Sequence, residues 1–186
     1  IGEAVNQIMQ TVKEFTAAQE EMSRQHEAGA ISYRMDASRF PGQYGVLAGK
    51  VNELVAQHIA VKMHVVGVVA EYAKGNLSVD IDRLPGEKAR ITEAIDAVKK
   101  QLLGINDEIR TLVNAAAMGE FGVRGSEEKY QHTFREMVAG LNKLMETCQS
   151  GLEEVSLVMG RVAQGDLTAR MEGSHRGAFE RIKLDT

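Results

Sequence analysis

Residues that could ligate a metal ion or a haem lie near the middle of this chain. His58 and His64 are six residues apart, with Met63 between them. Two metal-binding histidines on a helix are normally four residues apart, so that both rings share one face. A step of six places the rings on different faces, and methionine is a common filler of loosely packed cores. We therefore expect structural roles for these residues, and no cofactor or metal.

Two acidic pairs and one thiol are the other candidates for chemistry: Glu20 with Glu21, Asp80 with Asp82, and Cys148. A catalytic carboxylate pair needs a pocket that gives its two members different environments, and a slim helical rod provides none. The glutamates fit a solvated helix face, and the thiol fits a small buried core residue. Because no nucleophile with a base and no phosphate-binding loop appears, an enzyme is the least favoured class.

The helices that would position these residues belong to a sequence repeat. Four glycines recur 46, 44 and 46 residues apart: Gly29, Gly75, Gly119 and Gly165. Each is followed, two residues later, by a large apolar residue: Ile31, Leu77, Phe121 or Leu167. A period of this length is typical of an array of stacked units.

Apolar residues between these glycines follow the heptad pattern of a coiled coil. Three unbroken series, 44–72, 88–116 and 134–162, each span four heptads. Each series predicts one helix of about 43 Å, at ~1.5 Å per residue. A narrow stripe of this kind must be buried against partner helices, from the same chain or from a second copy. The predicted bundle core is Tyr44, Leu47, Val51, Leu54, Val65, Val68, Ile91, Ile95, Val98, Ile105, Ile109, Leu112, Phe134, Met137, Leu141, Leu144, Val155 and Val158.

Long connectors separate the predicted helices. From Gly75 to Lys88 there are 13 residues, and the first and third connectors are 15 residues long by the same count. Antiparallel helices need only about 2 to 8 linking residues, whereas an extended chain of ~12 residues covers up to roughly 40 Å. We therefore expect each connector to run back along its helix and to start the next helix in the same direction. Spaced apolar residues would anchor it between helices: Ile31, Met35, Leu77, Ile81, Phe121, Leu167 and Met171.

Composition and charge limit the alternatives. With 26% charged and 5% aromatic residues, no Trp and two Pro, the chain resembles a helical rod. A net charge of −4 disfavours nucleic acid and anionic membranes as partners. The nearest approach to a membrane span, 61–73, is interrupted by Lys62, His64 and Glu71, so no direct membrane insertion by this segment is expected. A single cysteine fits a reducing compartment, and a start in mid-heptad indicates a piece of a longer protein.

Two stretches carry a family resemblance. The sequence from Gly75 to Ile81, with Gly-x-Leu and a second apolar anchor four residues later, resembles the connector of HAMP domains, the signal-relay modules of bacterial receptors. The sequence 42–54, from Gly42-Gln43-Tyr44-Gly45 onward, resembles the start of the second HAMP helix. The acidic Asp-Glu pair typical of that start is not intact. Gly125 stands where the third connector should have its second anchor, so we expect that connector to be the least firmly docked.

The resemblance implies an all-α fold in which a homodimer forms stacked parallel four-helix bundles with extended connectors. It divides the chain into a coiled-coil lead-in at 1–11, repeat 1 at 12–58, repeat 2 at 59–102, repeat 3 at 103–148, and a truncated repeat 4 at 149–186. The four recurring glycines would act as connector hinges, and the spaced apolar residues of the connectors would act as their anchors.

The function implied is a non-catalytic relay that passes a conformational change from an input domain to an output domain of a bacterial receptor, in chemotaxis or a similar pathway. Its partners would be a second copy and the adjacent domains, and it would lie in the cytoplasm, in a parent with or without a membrane anchor. The residues alone leave two alternatives open: a passive helical-repeat scaffold with antiparallel helices, and a four-helix ligand-sensing domain.

Overall fold

A computed structural model describes residues 2–185; Ile1 and Thr186, at the two ends of the predicted domains, lie outside the described residues. The helices are α1 (Gly2–Glu27), α2 (Gln43–Ala73), α3 (Ala89–Ala117), α4 (His132–Ala163) and α5 (Ala178–Asp185). No β-strand occurs within the described residues. The predicted all-α fold class with long inter-helix connectors is confirmed.

The three central helices are long and unbroken. They contain 31, 29 and 32 residues, for α2, α3 and α4. Each runs through a predicted repeat boundary, so by those boundaries it would be the second helix of one repeat and the first helix of the next. The predicted heptad series lie within these helices, except that Lys88 belongs to a short 3₁₀ turn, Gly86–Lys88, just before α3.

The four recurring glycines end the helices. Their φ angles of 93°, 83°, 80° and 93° lie in the left-handed region, which only glycine adopts without strain. The amide of the residue after each glycine bonds back to a carbonyl of the last helical turn, as in Asn76 N–H to Glu71 O at 3.0 Å. This is the Schellman closure. We number the segments that follow connectors 1 to 4: residues 28–42, 74–88, 118–131 and 164–177.

The chain forms two compact halves, residues 1–96 and 97–186, and each is described by itself. In the first half, the ring of Phe15 lies 5.5 Å from Phe40 and 6.0 Å from Tyr44. Tyr44 lies at the start of α2, whereas Phe15 precedes the end of α1 at Glu27 by 12 residues, or about 18 Å of helix. Connector 1 therefore runs back along α1, and α2 starts beside the middle of α1.

The second half repeats this arrangement. Ile105 of α3 packs with Tyr130 and Val138, and further along α3 Leu112 packs with Met145. Contacts advance along α3 and α4 together, so these two helices are parallel, as the connector lengths predicted. In the same way Phe179, at the start of α5, lies against Gly151 in the middle of α4.

Candidate functional site: connectors and exposed seam

The second apolar anchor of the connectors is more deeply buried than the first. Met35, Ile81 and Met171 are buried among helix side chains. Ile31 and Leu167 are exposed, and Leu77 and Phe121 are half-buried.

Connector 3 is held by its backbone at the position where the anchor side chain is missing. Gly125 N–H donates to Asn142 Oδ1 at 2.7 Å, and Asn142 Nδ2 donates to Gly125 O at 3.0 Å. A Cβ on Gly125 would lie 2.7 Å from Val138 Cγ1, and Val138 is fully buried. The structure thus contradicts the expectation that Gly125 leaves connector 3 loosely docked. Glycine is there because the backbone approaches α4 closely.

Connector 1 has the same clamp. Met35 N–H donates to Asn52 Oδ1 at 3.0 Å, and Asn52 Nδ2 donates to Met35 O at 2.8 Å. In both connectors the asparagine follows the clamped residue by 17 positions. Sequence reasoning missed this pair, although an asparagine beside an apolar seam residue at the same place in two repeats was the available signal.

A second recurring tie comes from arginine. Arg34, Arg124 and Arg170 each lie five residues after the helix-ending glycine. One guanidinium nitrogen of each donates to two connector carbonyls, as in Arg124 Nη1 to Phe121 O at 2.6 Å and to Val123 O at 2.9 Å. Each arginine thereby pins the first turn of its connector.

Connector 2 is docked by other groups. The arginine position holds Asp80, and the asparagine position, eight residues after the first seam residue, holds Asp96. The buried hydroxyl of Thr92 accepts from Leu84 N–H at 3.3 Å and donates to Asp82 O at 3.3 Å. Asp96 pairs with Arg83.

One further ionisable contact involves connector 2. His64 Nε2 lies 3.8 Å from an oxygen of Asp82. The two histidines first considered as metal ligands are exposed, and no group of three or more potential ligands gathers within residues 2–185.

Connector 4 is tied by carboxylates. Glu154 accepts from the backbone N–H of Gly173 at 2.8 Å, from Glu172 N–H, and from the ring of His175. The Gly173 amide and the His175 ring hold the pKa of Glu154 below its usual value. At the start of the connector, the Thr168 hydroxyl and then the Arg161 guanidinium lower the pKa of Asp166 to about 2.

The predicted core residues fall into two groups within a single chain. Buried or half-buried are Tyr44, Val51, Val65, Val68, Ile95, Ile105, Ile109, Leu112, Phe134, Leu141, Val155 and Val158. Exposed are Leu47, Leu54, Ile91, Val98, Met137 and Leu144. The exposed six form three pairs with a spacing of seven, one pair on each of α2, α3 and α4, within the predicted repeats 1, 2 and 3. We call these six residues the exposed seam.

The structure bears on two other sequence expectations. Cys148 is half-buried rather than buried within the chain. Helix α2 is long and apolar enough to cross a membrane by length and composition, and little of its apolar stretch is buried.

Comparison with known families decides what the repeats are. Three family models match successive parts of the chain: the second HAMP domain of methyl-accepting chemotaxis protein McpB at 9–57, HAMP N-terminal domain 3 at 61–103, and the HAMP domain at 129–186. The chain is a tandem array of HAMP domains. The HAMP resemblance of the sequence is therefore confirmed, and with it the expected function class, a signal-relay module.

A whole-protein relative adds context to the HAMP array. Methyl-accepting chemotaxis protein McpB of Pseudomonas aeruginosa is 28% identical in an alignment that covers 94% of this chain and 46% of the relative. The chain thus spans about half the length of the curated relative that it matches.

Proposed function

We propose that this HAMP array relays a conformational change between an input and an output domain of a chemoreceptor, as a non-catalytic homodimer. Two copies would form parallel four-helix bundles, each repeat contributing two helices per copy. The observation that carries this proposal is the exposed seam. The similarity to a methyl-accepting chemotaxis protein supports the receptor context.

The exposed seam requires a partner on physical grounds. Leu54 and Leu144 are 56% and 58% exposed, although both lie on heptad positions. Burying a leucine side chain contributes about 1.5–3 kcal/mol. The buried half of each seam already packs against the same chain, so a second copy with the same pattern would cover the other half through a two-fold axis.

The unbroken helices support the relay itself. Because α2, α3 and α4 each belong to two successive repeats, a rotation or splay imposed at one end of such a helix reaches the next repeat without a flexible joint. We propose the boundaries 12–58, 59–102, 103–148 and 149–186 for the repeats, with the helix-ending glycines as hinges and the apolar residues that follow them as anchors.

A cytoplasmic location fits the contacts of α2 better than a membrane span does. Asn52 binds the backbone of connector 1. The Glu71 carboxylate accepts from the Asn76 side chain of connector 2, and the Tyr72 hydroxyl donates to Val79 O. Polar connectors bound along a helix would have to enter the lipid with it, which is costly. Helix α2 is therefore proposed as a bundle helix of the array.

The oligomeric state tests the proposal. Light scattering of the chain at micromolar concentration is expected to give a dimer. Introducing Leu54→Glu together with Leu144→Glu should convert the dimer to monomers, because each change places a charge in the apolar interface. Gln57→Glu places one such charge at an exposed position of α2 outside the seam and should leave the dimer intact. A monomeric wild-type chain would contradict the proposal and favour the passive scaffold.

A further inference from the structure

Connectors 1, 2 and 3 differ in the chemistry that docks them. Connectors 1 and 3 carry both recurring ties, the asparagine clamp and the arginine tie. Connector 2 has aspartates, Asp80 and Asp96, at the two corresponding positions. An ionised carboxylate accepts hydrogen bonds but cannot donate them. Neither aspartate can therefore reproduce a bond to a connector carbonyl.

The reciprocal bonds of the clamp in connectors 1 and 3 join uncharged groups, and in connector 3 Asn142 Nδ2 also donates to the Glu127 carboxylate at 2.8 Å. One amide group accepts from the N–H and donates to the C=O of the same residue, with four N···O distances between 2.7 and 3.0 Å. Dissolved ions barely weaken a hydrogen bond between neutral groups, because there is no net charge to screen.

Three successive residues of connector 2, 82–84, bind side chains of α3. Thr92 binds Asp82 O and Leu84 N–H, at the long distance of 3.3 Å in each case. Asp96 lies one turn beyond Thr92 on the same face of α3. It pairs with Arg83, the connector residue between Asp82 and Leu84. The pair is partly open to water, with 76% of the arginine side chain and 35% of the aspartate side chain exposed. Such a pair is screened by salt.

We propose that connector 2 is the adjustable joint of the array: its docking on α3 depends on the Arg83–Asp96 ion pair and loosens with ionic strength, whereas Asn52 and Asn142 keep connectors 1 and 3 docked. This inference concerns local docking and holds whether or not the array relays a signal. Connector 3 also contains an ion pair, Lys129–Glu108 at 3.2 Å. That pair lies four residues beyond Gly125, which Asn142 holds directly.

Residue-resolved amide exchange on the whole chain tests the inference, since each connector offers one reporter. The reporters are the N–H groups of Met35, Leu84 and Gly125, bound by Asn52, Thr92 and Asn142 respectively. Raising the salt from about 0.01 M to about 1 M shortens the Debye length from about 30 Å to about 3 Å. Protection of Leu84 N–H should then fall about two- to fivefold, as expected for loss of a part-exposed ion pair, while Met35 and Gly125 keep theirs.

Two variants make the experiment decisive. Asp96→Ala removes the carboxylate without introducing the asparagine that clamps connectors 1 and 3, so Leu84 N–H should be less protected at low salt and no longer respond to salt. Arg83→Gln removes the same pair from its exposed side and should give the same result, which guards against a folding defect of the first variant. A salt response of Leu84 N–H equal to that of Met35 and Gly125, or one that survives both substitutions, would overturn the inference.

Discussion

At the scale of single residues, glycine has two distinct roles in this chain. The helix-ending glycines adopt positive φ angles, and a Cβ on any of them would meet no atom within 4 Å. Gly125 and Gly151 are different, because a Cβ there would collide with Val138 and with the ring of Phe179. These two glycines create space for a neighbouring element, so their substitution costs packing rather than backbone conformation.

Gly125→Ala is expected to destabilise the chain by about 1–3 kcal/mol, the usual cost of overpacking a closed site. The added methyl group must displace Val138 or pull connector 3 away from Asn142. Urea denaturation measures the effect. Gly122→Ala is the matched control in the same connector, because its Cβ would meet only Gln149 Nε2, at 3.9 Å.

A double substitution identifies the cause of the Gly125→Ala effect. Val138→Ala removes the methyl groups with which the new Cβ collides. If the collision is responsible, Gly125→Ala should cost less in the Val138→Ala background than in the wild type. Additive losses would mean that the glycine is needed for another reason.

At the scale of elements, the connectors differ in the chemistry that ties them to the helices. Connector 4 is the one held mainly by carboxylates, through Asp166 at its start and Glu154 near its end. Both carboxyl groups have lowered pKa values. Their ionised forms therefore stabilise the docked connector, and this stabilisation is complete at neutral pH.

Acid should release connector 4. A lowered pKa means that the contribution of Asp166 is present above its ordinary pKa of 3.8 and is lost as the pH falls toward the folded value of about 2. Thermal unfolding of wild type and Asp166→Asn between about pH 6 and about pH 2 should show a stability difference that shrinks below about pH 4. Asp107→Asn, at an exposed position of α3, is the control. A difference that stayed constant with pH would show that the Asp166 charge does not stabilise the connector.

At the scale of the whole molecule, the relay proposal predicts coupling between distant repeats of a dimer. A disulfide between the two copies at Leu47→Cys, in a Cys148→Ser background, would fix the spacing of the helices in repeat 1. Spin labels placed at position 144 through an unnatural amino acid should then report a changed distance distribution between the copies in repeat 3. Identical distributions with and without the cross-link would contradict the relay.

The architecture could be predicted from the sequence because the helix-ending glycines and the heptad spacing of apolar residues recur along the chain. Gly29, Gly75, Gly119 and Gly165 marked the helix ends, and connector length indicated parallel helices. The docking contacts were not predictable in the same way. Asn142 and Thr92 fit their positions because of the distance between the helix and connector backbones there. The sequence shows only a polar residue beside a seam residue and does not reveal which backbone group that residue binds. The absence of an anchor side chain at Gly125 was therefore misinterpreted as weak docking.

The unbroken course of α2, α3 and α4 restricts how such an array can change during evolution. Adding one residue to an α-helix turns everything beyond it by about 100° and moves it by about 1.5 Å. An insertion in the middle of α3 would direct the downstream heptad face away from its partners, whereas a whole added heptad would nearly restore the phase. Length variation among related arrays should therefore occur in the connectors or in steps of complete heptads. The distance from the helix-ending glycine to the first seam residue already differs by two, since it is 13 residues for Gly75 and 15 for Gly29 and Gly119.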